Sequence, residues 1–198
     1  TGRYRLGVGL ISLAGLVMAH ASLRQVATSF LRELAEQTQE TINLAVRERE
    51  SAINIEHVVP HGRRVLNIGW VGRSSPLHAS STGKILLAYL PQSELDQLLE
   101  RPLQPFTEYT ITDAHALRAE LVTVRQQGYA TGLEELEIGL HAIAVPVRDR
   151  SARVVAAISV AGPSYRFSKQ HMLGEVREQA IDCATRISQR LGLTSASE

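Results

Sequence analysis

The sequence predicts one α+β domain, an antiparallel sheet covered by helices, on three observations. Apolar residues recur at helical spacing near both ends of the chain. They stand at Leu23, Val26, Ala27, Phe30, Leu31 and Leu34, and again at Met172, Val176, Ala180, Cys183, Ile187 and Leu191. Between those stripes the period switches to two, as at Ile42, Leu44 and Val46 and at Ile53, Ile55 and His57. Short polar turns join the alternating runs, the pattern of hairpins. With 198 residues, 44% apolar and 21% charged, the chain is long enough to bury a core and ordinary in its surface.

Taken in order, Leu6, Leu10, Leu13 and Val17 fall on one face of an opening helix that Gly7, Gly9 and Gly15 weaken, so it needs a partner surface. Arg3 and Arg5 precede this run, yet its helical spacing and glycines argue against a signal peptide, and it is too short and mixed to span a bilayer. A second helix runs from about Leu23 to Thr38, with Arg24, Gln25, Arg32, Glu33 and Glu36 facing outward. The strand around Ile42–Val46 reads as half-buried, with Thr41, Asn43 and Arg47 on the wet side. A charged turn at Arg47–Ser51 leads to the run Ile53–His57, and Pro60-His61-Gly62 breaks the chain before a third alternating run at Leu66, Ile68 and Trp70.

The small, polar stretch 72–84 feeds a helix from Ile85 to Leu90, closed by Pro91. A short helix from Ser93 to about Glu100 follows, with Ser93 as its cap, and then a loop over 101–112. Asp113 caps a helix bearing Leu117, Leu121 and Val124, which Gly128 ends. Tyr129–Gly139 reads as acidic and irregular. Strands at Leu140–Val147 and Arg153–Ala161 turn at Asp149-Arg150-Ser151, and a final helix spans about Ser168–Leu191. Residues 1–20 read as a linker helix and 21–198 as one domain. The chain opens on Thr1 rather than Met, so the expectation is a piece of a longer protein.

A net charge of +1 advertises no nucleic-acid or membrane surface. The single cysteine, Cys183, allows no internal disulfide or cysteine metal cluster and suits the cytoplasm; on its apolar stripe it reads as a buried, inert thiol. His57 and His61 are four apart, but Pro60 prevents the helix that would align them, and His78 and His141 could meet only in three dimensions, so no metal or cofactor is expected. Glu134-Glu135 reads as a solvated loop pair rather than an acid/base couple. Ser159 lacks the flanking glycines of a nucleophile elbow, which leaves a hydrolase the weakest reading.

The strongest local signal is Ser80-Ser81-Thr82-Gly83 entering a helix. Its first backbone N–H groups lack intrahelical acceptors, and the helix dipole favours an anion there. From the residues alone two readings stay open: a carboxylate site, or plain N-capping by Ser80 or Ser81 with Gly83 for close packing. A phosphate-binding Walker A loop is excluded, since His78 stands where its first glycine belongs and Ile85 where its hydroxyl belongs. Period two puts Leu140 and Ala142 on one face of their strand, and Ser159 and Ala161 on one face of theirs. From the residues alone, ordinary core packing is the favoured reading of these four.

The motifs together resemble a known family. Tyr4-Arg5-Leu6-Gly7, Pro76-Leu77-His78-Ala79-Ser80 with Gly83-Lys84, Thr110 with Thr112-Asp113, and Val124 to Ala130 match its order. So do Glu134-Glu135, Gly139, Ile143 to Val147, Asp149 and Ser159 to Pro163. Across essentially the whole chain the sequence is similar to the isocitrate-lyase-regulator (IclR) family of bacterial transcriptional regulators. The resemblance implies a GAF-like (profilin-like) sheet that binds a small effector, forms a homodimer or homotetramer, and reaches DNA only through a winged helix-turn-helix module absent from this chain. It implies a sensor and not an enzyme, with ligand contacts from Ser80, Ser81, Thr82 and Gly83, from Gly132 and Leu133, and from Leu140, Ala142, Ser159 and Ala161. Members that sense small keto or hydroxy acids carry an acidic residue, a cysteine and a second serine where this chain has Gly132, Ala142 and Ala161. That departure implies a larger, flatter effector, such as an aromatic acid. A dimerisation module without ligand is the alternative.

Overall fold

The computed structural model describes residues 9–62 and 71–193, with side chains from 22 onward. The opening stripe at Leu6, Leu10, Leu13 and Val17 and the run Leu66, Ile68, Trp70 therefore lie outside the described side chains. One long helix, α1 (Gly9–Thr38), replaces the two expected. It ends where expected, because Gln39 turns left-handed (φ 55°) and its N–H closes on Ala35.

Six strands form one antiparallel sheet: β1 (Thr41–Glu48), β2 (Ser51–Val58), β3 (Ser74–Pro76), β4 (Ala130–Leu133), β5 (Leu140–Arg148) and β6 (Val154–Pro163). Their order across the sheet is β3-β2-β1-β6-β5-β4. On one face α1 packs with a C-terminal helix made of α5 (Lys169–His171), a π-helical turn (Met172–Val176) bent at Gly174, and α6 (Arg177–Arg190). Leu23, Ala27, Leu31 and Leu34 meet Ile42, Leu44, Ile143, Ile158, Met172 and Ile187 there. On the other face lie α2 (Ser81–Ala88), α3 (Gln92–Leu99) and α4 (Ala114–Gln127). The sheet meets α2 with alanines, Ala45, Ala52, Ala144 and Ala157, which let a helix of bulky Ile85, Leu86 and Leu87 lie close.

Because helices cover both faces, β1 is buried continuously from Ile42 to Val46, not half-buried as its alternation suggested. Asp113 caps α4 through Ala116 N–H at 2.7 Å, and Gly128 ends it at φ 79°, as expected. Two helix starts differ, and two strands were not expected. Helix α2 begins at Ser81, four residues early, because Ser80 caps it. Helix α3 begins at Gln92 after Pro91, so Ser93 is inside it and caps nothing. Strand β4 and the three-residue β3 form in stretches read as irregular, drawn into the sheet by β5 and β2. Strand β4 begins at Ala130, opposite Ala144, two residues short of Pro146 of β5, which has no N–H to offer a partner strand. Among the described residues no helix is long and apolar enough to cross a membrane.

Candidate functional site

The alanine-lined contact with α2 covers only part of that sheet face. Beyond the N-terminus of α2 the same face carries Asn43, Gly132, Ala142, Ser159 and Ala161, side chains too small to fill the space, and a cavity of about 420 Å³ opens there. That volume lies within the usual range for small-molecule sites, about 300–1,000 Å³.

The helix entrance forms one wall. Ser80 is extended (φ −119°, ψ 144°); its hydroxyl accepts from Gly83 N–H at 3.2 Å and donates to Pro76 O at 2.7 Å. Lys84 N–H returns to Ser80 O at 2.9 Å. The first two amides of the helix, Ser81 and Thr82, are left with no intrahelical acceptor. Gly132 keeps the approach to them open, since a Cβ there would come within 3.5 Å of Ser81 N. Capping and an amide-rich entrance thus coexist at this corner.

Of the ten residues singled out in sequence, Ser80, Ser81, Thr82, Gly132, Leu140, Ala142, Ser159 and Ala161 line the cavity. Gly83 and Leu133 do not. A Cβ at Gly83 would enter the backbone of Leu77, so this glycine serves close packing. Leu133 follows Gly132 in β4, and period two turns it to the opposite face, where it packs against the α1–α6 core.

Several lining residues were missed. Asn43 on β1 lies beside Ser159 on β6 and His57 on β2 in register, and its amide joins both: Nδ2 to Ser159 Oγ at 3.4 Å, Oδ1 to His57 Nδ1 at 2.8 Å. Burial pulls the His57 pKa below that of an ordinary histidine, so the ring is neutral at neutral pH. Asn54 joins them through a bulge. Leu44 faces Glu56 while Ala45 faces Asn54, which leaves Ile55 as the extra residue. The bulge turns both Asn54 and His57 toward the cavity, while Ile55 packs on the other face. The sequence run Ile53, Ile55, His57 is therefore not one alternating series.

The loop after β4 contributes Glu135, Leu136 and Ile138 to the lining. Glu135 is buried, contrary to the solvated pair expected. Its Oε1 accepts from Lys84 Nζ at 2.7 Å, and Thr110 Oγ1 holds its backbone carbonyl at 2.6 Å. Burial raises the Glu135 carboxyl above the usual carboxylate range, against the opposing pull of Lys84. Its neighbour Glu134 points elsewhere, accepting from Gly139 N–H and Ser164 Oγ. At the rim Arg166 grips Glu40 with two bonds of 2.7 and 2.8 Å, and Gly162 leaves room for that carboxylate, which a Cβ would approach to 2.5 Å.

The four histidines considered as metal ligands are engaged by protein groups: His57 by Asn43, His61 by Glu36, His78 by Gln104 O and His141 by Phe167 O. No cluster of three metal-ligating side chains occurs among the described residues. Cys183 is buried, with its thiol pushed up to about 12 by desolvation.

Comparison with known proteins agrees with this architecture. The model for the C-terminal domain of the bacterial transcriptional regulator IclR matches residues 15–189. The transcriptional regulator KdgR of Escherichia coli is 36% identical over 191 residues, covering 96% of this chain and 72% of its own. An IclR homologue from Microbacterium hydrocarbonoxydans, crystallised with 4-hydroxybenzoate, superposes with a TM-score of 0.79 at 30% identity, covering 94% of this chain and 75% of that one. The inducer-binding domain of PobR from Acinetobacter, a double mutant with 3-hydroxybenzoic acid, gives 0.78 at 32%, covering 83% and 96%. The chain belongs to the IclR family of bacterial transcriptional regulators and has the GAF-like fold of their C-terminal domain.

Proposed function

We propose that this chain is an effector sensor that takes a small organic acid, aromatic in character, into the cavity. The observation that carries the reading is the pair of Ser81 and Thr82 amides at the N-terminus of α2, beside a floor of Ala142, Ala161 and Gly132. A carboxylate accepts from those amides and sits at the positive end of the helix dipole. Its ring lies against Leu140, Ala142 and Ala161. A small keto acid would leave much of the 420 Å³ unfilled. The hydroxybenzoates bound by the two similar structures support an aromatic acid, and the regulators among the relatives support sensing over turnover.

Occupancy then acts by population shift. An acid that prefers one arrangement of a homodimer or homotetramer changes the DNA affinity of an attached reading module by its differential binding alone, about 1–3 kcal/mol. Helix α1 is the transmitter: it is continuous from Gly9 to Thr38 and runs within three residues into Thr41, which lines the cavity. The working place of such a regulator is the cytoplasm. Calorimetric titration with 4-hydroxybenzoate, 3-hydroxybenzoate, glyoxylate and pyruvate tests the reading. Saturable binding that favours the aromatic acids is expected; preference for the two small acids overturns it.

A further inference from the structure

Among the described residues that line the cavity, acidic side chains outnumber basic ones. Glu40, Glu135 and Glu137 stand against Arg166, and Arg166 is committed to Glu40. An acid that enters therefore adds negative charge to an acidic wall. Glu135 belongs to the helix entrance. Its Oε1 accepts from Lys84 Nζ at 2.7 Å, and Lys84 is three residues, less than one turn, beyond Ser81 on α2. The strand leading to it reaches the same corner, since Gly132 lies against the Ser81 amide. The loop is pinned as well. Thr107 Oγ1 donates to Glu134 O at 2.7 Å and Thr110 Oγ1 to Glu135 O at 2.6 Å.

The other carboxyl oxygen, Glu135 Oε2, is buried and has no hydrogen-bond partner among the described residues. A buried carboxylate oxygen without a donor is costly. A proton on it turns an acceptor into a donor, and that donor suits an adjoining carboxylate. The surrounding charges pull both ways. Burial raises the Glu135 carboxyl and outweighs Lys84 of α2, while Glu120 of α4 adds to the rise. On its own loop Glu134 is turned to Gly139 and Ser164, whereas Glu137 lines the cavity with His57, Glu40 and Arg166. His78, before α2, bonds Gln104 O. An acid anion at the Ser81 and Thr82 amides brings one more like charge to this corner. Resting on the carboxylate position proposed above, we infer that the site takes up its acid together with one proton, held on Glu135, so that the sensor binds the acid more tightly as pH falls. The proton comes from solvent and returns there when the acid leaves.

The test is calorimetric titration of the purified chain with 4-hydroxybenzoate between about pH 6 and pH 8, where the acid keeps its carboxylate ionised and its phenol neutral. Runs in two buffers of different ionisation enthalpy count the protons exchanged. Net uptake approaching about one proton per acid is expected, with affinity roughly tenfold or more higher at pH 6 than at pH 8. In Glu135→Gln, which keeps the shape but cannot titrate, uptake should vanish and the affinity should become level with pH. Affinity level with pH and no net uptake by the unaltered chain overturns the proton link, and that result needs no variant to fold. Uptake that persists in Glu135→Gln overturns it too. Either result leaves the acid site standing. If 4-hydroxybenzoate does not bind at any pH, both readings fall.

Discussion

Lys84→Met probes the brace between the helix entrance and the loop after β4. Lys84 is 1% exposed, with its Nζ 2.7 Å from Glu135 Oε1 and 3.3 Å from Glu120 Oε1. Removing one partner of a buried pair leaves the other charge uncompensated, typically at about 3–5 kcal/mol. Two features place this case at the lower end. Glu120 is partly exposed and water can solvate it. Glu135 already has its carboxyl raised by burial, so it can take up a proton instead. The expected loss at pH 8 is about 3 kcal/mol, a fall of roughly 6–12 °C in Tm for a domain of this size.

The loss depends on pH in a defined direction. Without the cation, the folded Glu135 carboxyl rises further above its unfolded value, so the folded state holds a proton that the unfolded state releases. Stability then drops as pH climbs through that window and recovers below it. The gap between Lys84→Met and the unaltered chain should be narrow at pH 5 and wide at pH 8. Adding Glu135→Gln removes the buried charge and should restore most of the loss at pH 8. Urea melts of the three proteins at both pH values read these differences. A gap below about 0.5 kcal/mol at pH 8, the scale of an ordinary surface change, or a double variant no better than the single one, refutes the buried pair.

Other outcomes follow from single contacts. Gly83→Ala pushes a methyl group into the Leu77 backbone and should lower stability by about 1–3 kcal/mol or more; a melt within error of the original contradicts that packing. Gly132→Val narrows the approach to the Ser81 amide and should weaken aromatic-acid binding at least tenfold with the fold retained, as read by calorimetry beside circular dichroism. Cys183, buried with its thiol raised to about 12, should react with a thiol reagent only as the protein unfolds; rapid labelling in native buffer would place it at the surface.

What could be read in the sequence was local. Helix α4 carries its own start and stop, Asp113 and Gly128, and both act as written. The stripes of α1 and of the C-terminal helix declared their buried faces, although the second runs through the π-helical turn at Met172–Val176. The small residues Gly132, Ala142, Ser159 and Ala161 were found through family resemblance; periodicity alone could not separate a cavity floor from a tight core. The polar half of the site was invisible for a physical reason. The bulge at Ile55 breaks the alternation, and no residue type there announces it, so His57 seemed to share a face with Ile53 and Ile55. Arg166 and Glu40 meet across 126 residues, a contact set by the meeting of β1 and β6. Glu135 looked solvated because a loop glutamate usually is; its burial depends on Lys84 arriving from another element.

The most direct measurement is a crystal structure of the chain grown with 4-hydroxybenzoate. The expected result is the acid in the cavity, its carboxylate within hydrogen-bond distance of the Ser81 and Thr82 amides and its ring on Leu140, Ala142 and Ala161. An acid bound elsewhere, or one seated with its carboxylate away from the helix entrance, would contradict the proposed anion site.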